Sequence, residues 1–208
     1  MTPNEICNSI RFLITKLGAC SEPVFLPSAP TLGKPLNECF PIVDEKVKSF
    51  GGKKVLGWQI WKTSLLVEAE FHAVWQSPER ELIDITPKSL PLKKILFVAD
   101  DNAEYNGMQV NNIRVNITGN LLVDDFIAVH DAIFSIENKG TRKLQYELTL
   151  KDEEAQDYHK LCKAREILEF MALQGMNRKS PCVCGSGKKH KACHGKSINE
   201  LVNKILVH

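Results

Sequence analysis

One stretch constrains the fold more than any other: Glu68–Pro87, EAEFHAVWQSPERELIDITP. With a period of two, Val67, Ala69, Phe71, Ala73 and Trp75 are apolar, while Glu68, Glu70 and His72 take the other side. After the break Gln76-Ser77-Pro78-Glu79-Arg80, Ile83 and Ile85 alternate with Leu82, Asp84 and Thr86. Pro78 is the natural centre of a turn, so the stretch reads as a β-hairpin. Folded symmetrically about Pro78, it sets His72 opposite Asp84. Directly opposed residues of an antiparallel pair have β-carbons about 4.5–5.5 Å apart, so an imidazole and a carboxylate would meet on the polar face. Two readings follow: an exposed His and turn-end Asp on an ordinary hairpin, or the orienting half of a nucleophile–His–Asp arrangement.

With 208 residues the chain can bury one sizeable core, or one core and a small appendage. No apolar run approaches a membrane span. The first twenty residues place Glu5 before, and Arg11 inside, their apolar face, which is wrong for a secretion signal. Seven cysteines, an odd number with three crowded together, point to thiol and metal chemistry in a reducing compartment. A cytoplasmic protein is therefore expected. The net charge of +2 hides an asymmetry, because Phe170 to Asn199 holds six basic residues and no acidic one. An acidic partner is expected at that end.

Along the chain, helical spacing predicts a helix over 4–18 stopped by Gly18, and the proline-rich segment Cys20–Pro35 reads as a loop. Cys20 has no neighbour that argues for reactivity, and Cys7 reads as a small core residue. Asn37 and Glu38 are plausible caps for a helix with Pro41 in its first turn and a stripe of Phe40, Val43, Val47 and Phe50, closed by Gly51-Gly52. Cys39 then sits at a helix N-terminus, where free N–H groups and the helix dipole favour a thiolate. Strands are expected at Val55–Trp61, Ile95–Val98, Met108–Ile117 and Leu144–Leu150. Helices are expected at Asp124–Ser135, capped by Asp124, at Asp152–Gln174, and at Ile198–Val207. Asp100-Asp101-Asn102 reads as a solvated turn, and His130 as a packed core histidine. Trp58, Trp61 and Trp75 either line a groove or belong to the core.

The sharpest chemical signal is PCVCGSGKKHKACHG, Pro181–Gly195. Cys182, Cys184, Cys193 and His194 supply three soft thiolates and an imidazole, which suits one tetrahedral, closed Zn2+ site. Gly185 and Gly187 let the chain turn tightly enough to bring both pairs onto one ion. The stretch resembles the SEC-C motif, a small zinc module found at the C-terminus of the preprotein translocase ATPase SecA and on many bacterial proteins. The match covers the CxC pair, GSGKKxK and the final Cys-His, and Val183 replaces a common proline. Four protein ligands leave no open position for hydrolytic water. The resemblance implies docking, as SecA docks on an export chaperone and on ribosomes, with Lys188, Lys189 and Lys191 as partner-binding residues. A Walker-type phosphate loop is excluded, since Lys189 follows Lys188 and no strand precedes it. Nucleic acid ranks below a protein partner, because the stretch has no aromatic residue to stack on bases.

A second resemblance covers residues 37–87. Phe71-His72-Ala73-Val74-Trp75 and Asp84-Ile85-Thr86-Pro87 are similar to the HAW-type strand and D-x-T-P strand end of the transglutaminase-like and papain-related thiol enzymes, with Cys39 preceding them in the same chain order. That resemblance implies Cys39 as nucleophile, His72 as base and Asp84 as orienter. It does not say whether water or an amine accepts the acyl group. The expected architecture is α+β: a transglutaminase-like body over 1–175, with a Cys-bearing helix on an antiparallel sheet, and a zinc-binding module over 176–208. The expected function is a bacterial-type zinc protein with a thiol-dependent acyl hydrolase or transferase body. Its module would recruit a protein partner or peptide substrate. The alternative is a non-catalytic adaptor that binds a chaperone, ribosome or nucleic acid through the basic module.

Overall fold

In the computed structural model, which describes residues 1–19, 21–145 and 147–207, the alternating stretch forms two neighbouring strands at one end of the strand order of an antiparallel sheet. Strands β1 (Val24–Pro27), β2 (Lys53–Lys62), β3 (Leu66–Gln76), β4 (Leu82–Ile83) and β5 (Lys94–Ala99) lie in the order β1-β5-β2-β3-β4, and β6 (Ile113–Asn116) pairs β3 off this path. The main partner of β3 is β2, paired from Lys53↔Gln76 to Lys62↔Val67. β4 meets β3 only as Trp75↔Ile83 and Gln76↔Leu82, two residues away from symmetry about Pro78. The turn is the cause. Ser77 N–H donates to Glu81 O at 2.8 Å, the Ser77 hydroxyl accepts from the N–H groups of Glu79 and Glu81, and Arg80 takes the left-handed region at φ 69°. Because side chains repeat every two residues, a slip of two preserves sidedness. Ile83 and Ile85 still pack with Ala73 and Trp75, and His72 and Asp84 still share a side. That side is not the solvated polar face expected: His72 is 2% exposed and Asp84 fully buried.

β1 falls inside the segment expected to be a loop. It pairs with β5 from Val24↔Phe97 to Pro27↔Lys94, and Pro27 ends the strand, where a missing N–H is tolerated. Beyond it, Asp84 N–H donates to Pro27 O (3.0 Å), Ala29 N–H to Asp84 O (2.8 Å) and Thr31 N–H to Ile85 O (2.9 Å). The outermost strands of the order thereby meet through a parallel bridge at Ser28↔Asp84. The sheet curls back on itself, which removes the exposed edge near Asp84.

Helix α1 (Asn8–Leu17) buries Ile10 and Leu13 and ends at Gly18 with φ 69°. Helix α2 (Cys39–Phe50) buries Cys39, Ile42 and Val43 against Ala73 and Ile85. Phe50, expected in its stripe, is 63% exposed, and Ile42 faces inward instead. Helices α3 (Leu121–Glu137), α4 (Asp152–Leu173) and α5 (His194–Leu206) share a separate cluster that includes Phe126, Ile133, Leu161, Met171 and Val202. The cap of α3 is Asn120, whose side chain accepts from Leu122 N–H at 3.1 Å, rather than Asp124.

The strand expected over 144–150 is absent from the described residues. Gly140–Leu144 is a 3-10 turn, Leu144 and Leu148 are exposed, Leu150 packs on the helical cluster, and Tyr146 lies outside the described residues, as does Cys20. Period-two spacing there meets no neighbouring strand. By compactness, Met1–Thr63, Val67–Asn106 and Asn112–Val115 form one unit, while Ser64–Leu66, Gly107–Asn111 and Asn116–His208 form another. The boundary expected at residue 175 falls inside the second unit, because α5 buries Val202 beside α3 and α4. Among the described residues no helix is long and apolar enough to cross a membrane.

Candidate thiol and metal sites

In the first unit, α2 supplies Cys39, β3 supplies His72, and the chain leaving β4 supplies Asp84. His72 Nε2 lies 3.0 Å from Asp84 Oδ1, and Cys39 packs in one cluster with Ala73 and Ile85, the residues that follow His72 and Asp84 in the chain. Burial disfavours the charged imidazole. The Asp84 carboxylate and the Cys39 sulfur outweigh that penalty and push the ring up to about 9. Burial likewise opposes the Asp84 carboxylate, yet His72 and Lys88 hold it down at about 2. All three expected residues are thus together, and each is nearly or fully buried, with Cys39 4% exposed.

The expected set omitted the rest of the carboxylate's shell. Lys88 Nζ donates to Asp84 Oδ2 at 2.7 Å, Ser28 Oγ donates to the same oxygen at 3.2 Å, and Thr86 N–H donates to Oδ1 at 3.2 Å. Lys88 could have been found as the basic residue four positions beyond Asp84. Ser28 could not, because only closure of the sheet brings it there. The tryptophans are anchored rather than arrayed along a groove: Trp58 Nε1 donates to Asp100, Trp61 Nε1 to Glu70 and Trp75 Nε1 to Gly51 O. Cys7 is not a plain core residue. Its sulfur lies 3.1 Å from Ser9 Oγ and 3.2 Å from Lys62 Nζ, and the Ser9 hydroxyl, opposed by slight burial and helped by Lys62, brings its thiol down to about 7.

In the second unit the ligand atoms of Cys182, Cys184, Cys193 and His194 all lie within 4.8 Å of one another. The Cys182 sulfur is 3.2 Å from His194 Nδ1, and the Cys193 sulfur is 3.6 Å from both Cys184 Sγ and His194 Nδ1. A tetrahedron with metal–sulfur bonds near 2.3 Å and metal–nitrogen bonds near 2.0 Å has edges of roughly 3.5–3.8 Å. The cluster therefore fits one metal ion with four protein ligands. A tight knuckle builds it: Cys182 N–H donates to Lys188 O at 2.8 Å, and Gly185 and Gly187 turn the chain at φ 75° and 71°. His194 opens α5, which fixes the fourth ligand on a helix.

Two supports were missed. Fully buried His190 sits beneath the cluster with Nδ1 4.0 Å from the Cys182 sulfur. Arg178 makes a two-pronged bond to Asp125 on α3, Nε to Oδ2 at 2.7 Å and Nη2 to Oδ1 at 2.5 Å. Lys188, Lys189 and Lys191 are all exposed.

Comparison with known proteins agrees with metal binding at this cluster. Residues 178–196 carry the SEC-C motif. The SEC-C segment holds all four ligands, and its Cys/His set fits metal binding. The chain is also 34% identical over 88 residues to the protein translocase subunit SecA of Helicobacter hepaticus (strain ATCC 51449 / 3B1). That match takes in 42% of this chain and only 9% of SecA. No solved structure matches the chain. Outside the SEC-C segment the described residues form an α+β arrangement with an antiparallel sheet.

Proposed function

We propose that this chain couples a thiol-dependent acyl hydrolase or acyl transferase, built on Cys39, His72 and Asp84, to a zinc-held SEC-C segment that docks a protein partner or delivers a peptide substrate. One observation carries the catalytic half: the His72 ring meets the Asp84 carboxylate at one nitrogen, and the Cys39 thiol at the mouth of a helix is close enough to favour the ring's charged form. In this reading Cys39 attacks an acyl carbonyl, His72 takes and returns the proton, and Asp84 fixes the tautomer and balances the imidazolium. The α2 N-terminus contributes free N–H groups beside the sulfur. The ion in the SEC-C segment is Zn2+, chosen by three thiolates and an imidazole, and it acts structurally. Exposed Lys188, Lys189 and Lys191 suit an acidic face on the partner, and SecA's name as a translocase subunit agrees with a protein partner. A cytoplasmic setting keeps the thiols reduced.

The test is peptide-resolved alkylation of Cys39 with iodoacetamide. Cys39 should react faster at neutral pH than an ordinary thiol of pKa about 8.5, and His72→Ala should slow it at least about tenfold, equivalent to about 1.4 kcal/mol. A rate equal to that of a free thiol and indifferent to His72 would leave the second reading, a non-catalytic adaptor. The 4% exposure of Cys39 favours that reading, since a nucleophile must be reached. Pull-down with the SEC-C lysines replaced by glutamine tests docking in either case.

A further inference from the structure

Lys88 is the charged group paired with the Asp84 carboxylate that the acyl mechanism leaves unused. Its side chain is 9% exposed and that of Asp84 is 0% exposed, with Nζ 2.7 Å from Oδ2. A solvated i,i+4 pair is worth a few tenths of a kcal/mol. A buried one carries a desolvation cost that its own attraction does not reliably offset. What the lysine does is seen by counting charge around the ring.

Without Lys88, the neutral arrangement of the buried groups is Asp84 carboxylate, His72 imidazolium and Cys39 thiol. Ionising the thiol would then leave an uncompensated negative charge in a low-dielectric setting. With Lys88 present, the carboxylate is already balanced. An imidazolium beside a neutral thiol now leaves one surplus positive charge. Thiolate with imidazolium, and thiol with neutral imidazole, both sum to zero. With Lys88 the charge-neutral set thus holds a single proton for Cys39 and the ring to share, whereas without it the charge-neutral set holds one proton on each.

The remaining neighbours do not alter this count. Ser28 Oγ and Thr86 N–H fill acceptor sites on Asp84 without adding charge. On β2, Gly57 stands opposite His72. Elsewhere on β3, Glu70 accepts from Trp61 Nε1 at 2.6 Å, and Glu68 pairs with Arg114 at 2.8 Å.

We propose that Lys88 is a positioning residue for the Cys39–His72 pair: by neutralising Asp84 it frees the imidazole to exchange its proton with the thiol. The inference rests on the thiol reading above and says how that site is tuned. The experiment uses the full-length, metal-loaded protein and follows alkylation of Cys39 from acid to alkaline pH in Lys88→Met, Lys88→Arg and His72→Ala. Lys88→Met should slow Cys39 at neutral pH by about tenfold and move the rise of the rate to higher pH, about one unit for each 1.4 kcal/mol. Lys88→Arg, which keeps the charge, should restore the profile to within about threefold, roughly 0.6 kcal/mol. A lysine that merely braced the fold would change the urea midpoint and leave the pH position of the profile alone.

If Lys88→Met keeps the wild-type profile while His72→Ala slows the thiol, the proposal falls and the thiol reading stands. If neither variant changes the rate, both fall. Should Lys88→Met fail to fold, the wild-type chain supplies the second arm. Its Lys88 ammonium should give a slowly exchanging 15N resonance coupled to Asp84, and a freely exchanging one overturns the proposal.

Discussion

The second unit gathers its chemistry from a single short stretch, Cys182 to His194, whereas the first draws Cys39, His72, Asp84 and Lys88 from a helix start, a strand and the chain beyond the turn. The SEC-C ligands are partly open to solvent at Cys184 and His194, and they need an ion to hold three like-charged thiolates together. The Cys39 set is sealed and needs none, because Asp84 and Lys88 balance each other within it. Local sequence can specify the first kind of site by itself. The second exists only if the sheet curls far enough to bring Ser28 beside Asp84. Each region should accordingly fail under a different insult.

Loss of metal should have the largest effect. Structural zinc sites contribute about 10–16 kcal/mol of binding energy at neutral pH. Cys193→Ser, or a strong chelator, should release one zinc ion per chain and remove hydrogen-exchange protection from 181–195 and from the first turns of α5. The urea transition of the first unit should not change. All three tryptophans, Trp58, Trp61 and Trp75, lie in that unit and report on it separately. Stoichiometric zinc retained by Cys193→Ser would break the comparison outright.

Next in size is Asp84→Ala, which strips the partner from a buried lysine and a buried imidazole at once. Removing one member of a buried charged pair costs about 3–5 kcal/mol. The tryptophan-monitored urea midpoint should fall accordingly while the zinc content stays at one. A loss below about 1 kcal/mol, the level of a solvated pair, would mean that the Asp84 shell is open to water.

How much of this was legible follows the same division. Cys182, Cys184, Cys193 and His194 could be read from spacing, because the knuckle is made of neighbours along the chain. The meeting of His72 with Asp84 was legible for a simpler reason than the one given. The assumed register was off by two, and only the parity of a strand kept both residues on one side. β1 was hidden by the prolines in and around it, since nothing local announces that Pro27 O will accept from Asp84 N–H. The alternation at 144–150 misled in the opposite direction, because a period of two makes a strand only where another strand lies alongside. His190 carried no signal of its own. It is a histidine among lysines whose burial depends on Gly195 leaving room.

Alkaline pH should separate the regions by sign. The His72 ring is raised from 6.5 to about 9 in the folded chain, so its stabilising contribution is complete below about pH 6.5 and is lost as pH rises through 9. Asp84 is lowered from 3.8 to about 2, so its contribution is present above about pH 4 and is lost as pH falls toward 2. The first unit should be most stable between about pH 4 and 6.5 and weaken by at most about 3 kcal/mol toward pH 9, a bound because the two groups share one interaction. The SEC-C segment should do the reverse, binding its ion more tightly as the thiolates form. Urea midpoints and zinc affinity measured at pH 6 and pH 9 should therefore move in opposite directions. Parallel movement would mean that the His72 ring is not charged in the folded chain.

The smallest effect expected is that of Gly195→Ala. Gly195 follows the last ligand in the first turn of α5, where its backbone needs no special conformation and alanine would ordinarily favour the helix by about 1 kcal/mol. Here an added β-carbon would lie 2.7 Å from His190 Cδ2 and 2.9 Å from His190 O. The carbonyl is backbone and cannot swing away, so the helix start or the histidine must shift. Overpacking of this kind costs about 1–3 kcal/mol, so the net change should be destabilising by up to about 2 kcal/mol once the helix gain is subtracted. Because His190 lies against Cys182, the shift should reach the metal as well. Cobalt-substituted Gly195→Ala should display altered thiolate charge-transfer bands at unchanged stoichiometry, while Cys39 alkylation stays at the wild-type rate. A stabilised variant with an unaltered cobalt spectrum would mean that His190 has slack around it and does not brace the cluster.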